Sequence, residues 1–191
     1  MLEDIIVSKV RVKLLSIFFA NPAEIYHVRG LVRKTGEEIN AVRRELLHLE
    51  TAGILKKEPR GNRLYYWVNS NYLLYPELLM MIAKETDLGE QIIKNRNRIG
   101  KITFCVFSSK FVKKERRRED EVDILVVGNV VMAELSVLIK AEEEKRGKEI
   151  NYTVMSNEEF DFRKKRRDPF LLGILYSSKV MIIGDEGELL K

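Results

Sequence analysis

Residues 35–68 read "TGEEINAVRRELLHLETAGILKKEPRGNRLYYWV". Within them Ile39, Val42, Leu46 and Leu49 fall on one stripe of a helix, and Glu37, Asn40, Ala41 and Arg44 fall on the other. Thr35 followed three residues later by Glu38 has the form of a capping box, which places the helix start at about Glu37. Gly53 has the character of a residue that closes a helix. Beyond it, "ILKKEPRGNRLYYWV" reads as two strands joined at "PRGN", a hairpin with Gly61 and Asn62 at its tip.

Upstream, apolar residues recur at helical spacing from Ile5 to Phe19, and Pro22 breaks the pattern. A short segment, "EIYHV", leads to a second, brief helix around "VRGLVRK". Helix, helix, turn, helix and basic hairpin is the order of a winged helix-turn-helix. A third helix in a major groove would present Asn40, Arg43 and Arg44 to base edges and phosphates. The hairpin offers Lys56, Lys57, Arg60, Asn62 and Arg63 to the backbone of adjoining double-stranded DNA. The plainer alternative is that these residues are solvated faces of a small helical domain. Residues 1–70 resemble the ArsR-like and MarR-like winged-helix regulators through this whole pattern, and the resemblance implies DNA binding as a homodimer. No cysteine or histidine cluster of a metal-sensing member is present.

The remaining composition narrows the class. The chain has 191 residues with 45% apolar content, enough for two small cores. Thirty-four Lys and Arg against 29 Asp and Glu give a net charge of +5, which favours an anionic partner. One cysteine, Cys105, and two histidines, His27 and His48, exclude a disulfide framework and a Cys/His zinc site, so a reducing cytoplasm is expected. The start of the chain is acidic where a secretory signal is basic. The most apolar run, "YLLYPELLMMIA", is too short for a bilayer and contains Pro76 and Glu77, so no membrane association is expected.

Residues 71–99 are expected to form a helical connector of one or two helices, with Pro76 in a first turn and a break near Gly89. Its Leu and Met cluster, with the first helix, is the candidate dimer face, or else it packs against the flanking domains.

From residue 100 to 191 the pattern changes to strands alternating with helices, "KITFCVF", "EVDILVVG", "INYTVM" and "KVMIIGD", so the chain as a whole is expected to be α+β with a C-terminal α/β mixed sheet. Glu121 and Asp123, two apart on a strand, would leave the same face and could hold a magnesium ion on a nucleoside triphosphate. Ser108 and Ser109 end the preceding strand in a turn, where hydroxyls and backbone N–H groups could hold phosphate.

Strand, small-residue turn, charged loop, acidic pair and strand resemble the minimal nucleotidyltransferases of the polymerase beta superfamily. Ser108-Ser109 stands where the family has Gly-Ser, and Glu121-Val122-Asp123 where it has Asp-x-Asp. The family's third carboxylate falls near Asn151 or Thr153, neither of which can act as a general base. The arrangement therefore reads as a remnant site, used for nucleotide sensing, partner binding or assembly. The nearly full-length resemblance is to regulators in which a winged helix is fused to such a domain. Two alternatives stay open: an active magnesium-dependent nucleotidyltransferase modifying a protein or nucleic acid, and a toxin–antitoxin component or protein-binding scaffold. A second basic run, "FRKKRRDPF", is either a nucleic-acid or partner contact or a solvated helix end. Cys105, between Phe104 and Val106, is expected in the core.

Overall fold

The computed structural model describes residues 2–191 as an α+β chain with two separate sheets and two compact units, one ending at Glu85 and the other beginning at Thr86. The segment expected as a connector is shared between them.

The first unit runs α1 (Leu2–Ile5), α2 (Lys9–Ala20), β1 (Tyr26–His27), α3 (Val28–Thr35), α4 (Ile39–Thr51), β2 (Leu55–Arg60), β3 (Arg63–Val68) and α5 (Tyr75–Glu85). The single helix expected from Ile5 to Phe19 is divided. Ser8 adopts an extended conformation and its hydroxyl accepts the Arg11 N–H, which starts α2 at Lys9. The capping box at Thr35 does not form either. Gly36, in the left-handed conformation at φ +68°, closes α3 immediately after Thr35, whose buried hydroxyl donates to the Leu31 carbonyl at 2.9 Å. Glu38 takes over as the cap, its carboxylate accepting the Asn40 and Ala41 N–H groups, so α4 starts two residues later than expected.

Gly53 ends α4 as its sequence implied, with φ +78° and the Ile54 N–H returning to the Leu49 carbonyl. The hairpin forms with Gly61 and Asn62 at its tip, as expected, and its register sets Leu55 opposite Val68 and Arg60 opposite Arg63. The segment "EIYHV" supplies β1, which adds to β3 on the side away from β2. Leu14, Leu15, Phe18 and Phe19 of α2, Leu31 of α3 and Val42, Leu46 and Leu49 of α4 are buried, as are Leu55, Tyr66 and Val68 of the hairpin.

The second unit contains α6 (Asp87–Lys94), α7 (Arg96–Ile99), β4 (Gly100–Ser108), α8 (Ser109–Val112), β5 (Ile124–Val130), α9 (Met132–Arg146), β6 (Tyr152–Met155), α10 (Asn157–Lys165), α11 (Pro169–Tyr176), β7 (Lys179–Ile183) and α12 (Glu186–Leu190). Its sheet is mixed, in the order β6-β5-β4-β7. The neighbours of β4 are both antiparallel to it, and β5 and β6 run parallel through the α9 crossover. Val106, Leu125, Val127 and Met181 form one core with Phe160, Leu171, Leu175 and Leu189 of α10, α11 and α12. The alternate residues Cys105, Phe107, Ile124 and Val126 are buried as well, so α6, α7 and α9 cover the other face. Gly128, at φ +144°, lies where β4 and β5 shift register, and a Cβ there would come within 2.3 Å of the Lys101 carbonyl oxygen. No described helix is long and apolar enough to cross a membrane.

Adjacent residues of α4 provide a test of its orientation. Leu46 is fully buried and Leu47 is 56% exposed. Leu46→Ala should cost about 2–5 kcal/mol and Leu47→Ala no more than about 0.5 kcal/mol, read from urea denaturation of the two variants.

Candidate functional site

The buried stripe of α4 leaves Asn40, Arg43, Arg44, Leu47 and His48 exposed. Among the described residues, Asn40, Arg43 and Arg44 have no side-chain hydrogen bond or ion pair. The hairpin continues this cationic surface. Lys57 pairs with Glu50 at 3.0 Å, tying β2 to α4, whereas Lys56 and Arg63 are unpaired among the described residues. Arg60 donates to Glu58 at 2.7 Å and lies over the Tyr65 ring at 5.3 Å. Asn62 is exposed at the turn. Burial raises the Tyr66 pKa, and Lys57 of β2 opposes that rise, Glu50 of α4 adds to it and Arg43 of α4 opposes it. The helix and the hairpin thus share one electrostatic neighbourhood.

Two residues that position this surface were not singled out in the sequence. Glu45 lies on the buried side of α4 and accepts from the Ser8 hydroxyl and from Arg11 Nε, each at 2.8 Å. Burial alone would raise its pKa, but the Arg11 and Ser8 hydrogen bonds outweigh that and hold the carboxyl below its ordinary value. The signal was present, since a carboxylate between Val42 and Leu49 interrupts the apolar stripe. His27 caps α3, its Nδ1 accepting the Gly30 N–H at 3.0 Å, and meets Tyr65 edge-on at 5.9 Å.

In the second unit Ser108, Ser109, Glu121 and Asp123 all line one cavity of about 520 Å³. The antiparallel pairing of β4 with β7 sets Ser108 opposite Lys179. Ser109 N–H donates to the Ser178 carbonyl at 2.9 Å, and the Ser109 and Ser178 hydroxyls are 2.7 Å apart. The tripeptide Ser-Ser-Lys occurs at 108–110 and again at 177–179, and the pairing brings its two copies together. The Ser108 hydroxyl is itself engaged, accepting the Phe111 N–H at the start of α8. Phe170 and Ile174 of α11 supply an apolar wall.

The carboxylates depart from expectation. Glu121 and Asp123 precede β5, which begins at Ile124, and a turn from Arg118 to Glu121 carries Glu121 away from the strand. Lys110 Nζ reaches both Glu121 carboxylate oxygens, at 2.7 and 2.8 Å, and the Arg118 N–H donates to one of them. The Lys110 bond first, and the Arg118 N–H second, hold the Glu121 carboxyl below its ordinary value. Asp123 is buried and accepts from Arg117 Nε at 2.7 Å and from the Asn151 N–H at 2.9 Å.

Asn151, near the expected position of a third carboxylate, instead donates its side-chain amide to the Glu121 carbonyl at 2.9 Å. Thr153 lies further along β6, opposite Leu125. A magnesium ion shared by Glu121 and Asp123 would have to displace Lys110 and Arg117, and the described residues contain no group of three metal-ligating side chains. The donor set present does not fit that ion. Burial pushes the Cys105 thiol pKa up, which suits packing and not nucleophilic chemistry.

No protein-family model, curated protein or solved structure matches this chain.

The Glu45 contact predicts a pH dependence. Because its folded pKa is lowered, its contribution is present above the ordinary carboxylate range and is lost as pH falls through the folded value. Urea midpoints of the first unit should drop as pH falls below the ordinary carboxylate range, and Glu45→Gln should flatten that drop. Arg11→Met should cost about 1–3 kcal/mol at neutral pH by leaving the carboxylate short of a partner.

Proposed function

We propose that this protein is a DNA-binding regulator whose first unit is a winged helix-turn-helix, with α4 as the recognition helix and the β2–β3 hairpin as the wing. The observation that carries the reading is the set of unpaired, exposed Asn40, Arg43 and Arg44 on α4 beside the unpaired Lys56 and Arg63 of the hairpin. Bidentate side chains on an exposed helix face suit base edges, and cations on an adjoining hairpin suit phosphates.

The test is a fluorescence anisotropy titration of a duplex selected from a random pool. Arg44→Ala should lose about 1–3 kcal/mol on the selected sequence and little on random DNA. Arg63→Ala should weaken binding to both and reduce the slope of log K against log salt by about 1. Unchanged affinity in both variants would overturn this docking.

A second reading concerns the cavity of the second unit, which joins an aromatic and aliphatic wall to four serines, with the cations Lys110, Arg118 and Lys179 set among the carboxylates of Asp120, Glu121 and Asp123. An apolar wall beside hydroxyls and fixed cations suits a nucleotide as effector. The nucleotidyltransferase-like arrangement enters the proposal as a binding site alone, because Lys110 and Arg117 neutralise the carboxylates that transfer chemistry would use. Calorimetric titration with ATP and GTP, with and without magnesium, should give binding that does not depend on the metal. Lys110→Ala should weaken that binding by about tenfold. Absence of heat with both nucleotides would remove this use of the cavity.

A further inference from the structure

Several helices of this chain close on a left-handed residue, and glycine fills that position in three of them: Gly36 after α3, Gly53 after α4 and Gly147 after α9. Helix α10 closes differently. Arg166 follows its last turn and Arg167 takes the left-handed conformation at φ +53°, its N–H donating to the Lys164 carbonyl at 3.0 Å. That conformation disfavours every residue with a Cβ, so stability alone selects glycine there. Lys114, after α8, is a similar exception at φ +57°, but its amine lies 3.9 Å from Asp87. Among the described residues Arg167 has no such partner.

The neighbouring cations divide by use. Arg163 pairs with Glu159 at 2.9 Å and with Asp168 at 3.5 Å, and Lys164 donates to the Leu189 carbonyl at 2.6 Å. The helix dipole favours basic residues in this last turn, opposite Glu158 and Glu159 in the first. Lys165, Arg166 and Arg167 remain exposed and, among the described residues, without an ion pair. The Arg166 guanidinium lies 4.6 Å from the centre of the Phe162 ring, which stays 55% exposed. A stacked guanidinium is held in place while its N–H edge stays free, which suits a phosphate oxygen.

We propose that Lys165, Arg166 and Arg167 form a second DNA contact, on the second unit, that holds the phosphate backbone of the duplex without reading its sequence. The proposal rests on the DNA-binding reading of the first unit and extends it. Three successive unpaired cations match a regularly charged polyanion, and the strained backbone at Arg167 is accounted for by the charge it presents.

The experiment uses the full chain and compares Arg167→Gly, Arg166→Ala/Arg167→Gly and, as a control cation on α9, Lys140→Ala. Arg167→Gly should melt at the same or a higher temperature, because glycine suits the position, so weakened binding cannot be assigned to unfolding. Its slope of log K against log salt should be shallower by about 0.9, and that of the double variant by about 1.8, with equal losses on selected and random duplexes. Lys140→Ala should leave the slope unchanged. Unchanged slopes in the Arg166 and Arg167 variants, alongside a reduced slope in Arg63→Ala, would overturn this contact and leave the first unit's reading standing. Absence of DNA binding by the unaltered chain would overturn both. A lower melting temperature for Arg167→Gly would assign Arg167 to the fold and also overturn the contact.

Discussion

Burial of Val42, Leu46 and Leu49 fixes α4 about its own axis, and most of the proposed interface depends on that constraint. A helix that commits one stripe to the core has no choice about which residues it offers to solvent. Asn40, Arg43 and Arg44 are outward because their neighbours are inward. The Glu45 contact with Ser8 and Arg11 adds direction to this burial, since apolar packing tolerates small rotations that two hydrogen bonds to a carboxylate do not. The start of α2 and the orientation of α4 therefore share one residue, Ser8, which caps the first helix and contacts the second.

The second unit is organised around β4, paired on both sides and covered on both faces. Its last residues reach the rim of the cavity, where Ser108 and Ser109 meet the second Ser-Ser-Lys at the start of β7. The polar groups here are matched to one another: Ser109 with Ser178, Lys110 with Glu121, Arg117 with Asp123, and Asn151 with the loop backbone. An arrangement already neutralised in this way holds its shape without a metal, and it offers a ligand hydroxyls and an apolar wall in place of bare carboxylates. Of the six cations from Lys110 to Arg118, Lys110 and Arg117 are consumed in this matching.

Much of the architecture was legible in local patterns. The apolar stripe of α4, Gly53 at its end, the hairpin around Gly61 and Asn62 and the four strands of the second sheet follow from periodicity and turn chemistry, which act over a few residues. The failures were also local, where two signals of the same kind competed. Thr35 and Glu38 have the letters of a capping box, but the left-handed Gly36 finishes α3 first, so Thr35 turns back to Leu31 and Glu38 caps alone. The periodicity from Ile5 to Phe19 hid the cap at Ser8, because one serine does not interrupt an apolar count.

The sequence by itself determined the elements, the exposed and buried faces of α4, and the residue types available for an anionic partner, because propensity and burial depend on neighbours within a turn or two. Only the tertiary structure decided which charges remain free. Glu121 and Asp123 meet lysine and arginine side chains, Lys57 meets Glu50, and Arg163 meets Glu159 and Asp168, while Arg44, Arg63 and Arg167 meet no acidic partner among the described residues. The pairing of a charge is settled by distances of a few ångströms between groups that can be far apart in sequence, as with Arg11 and Glu45. Such distances exist only once the chain has folded.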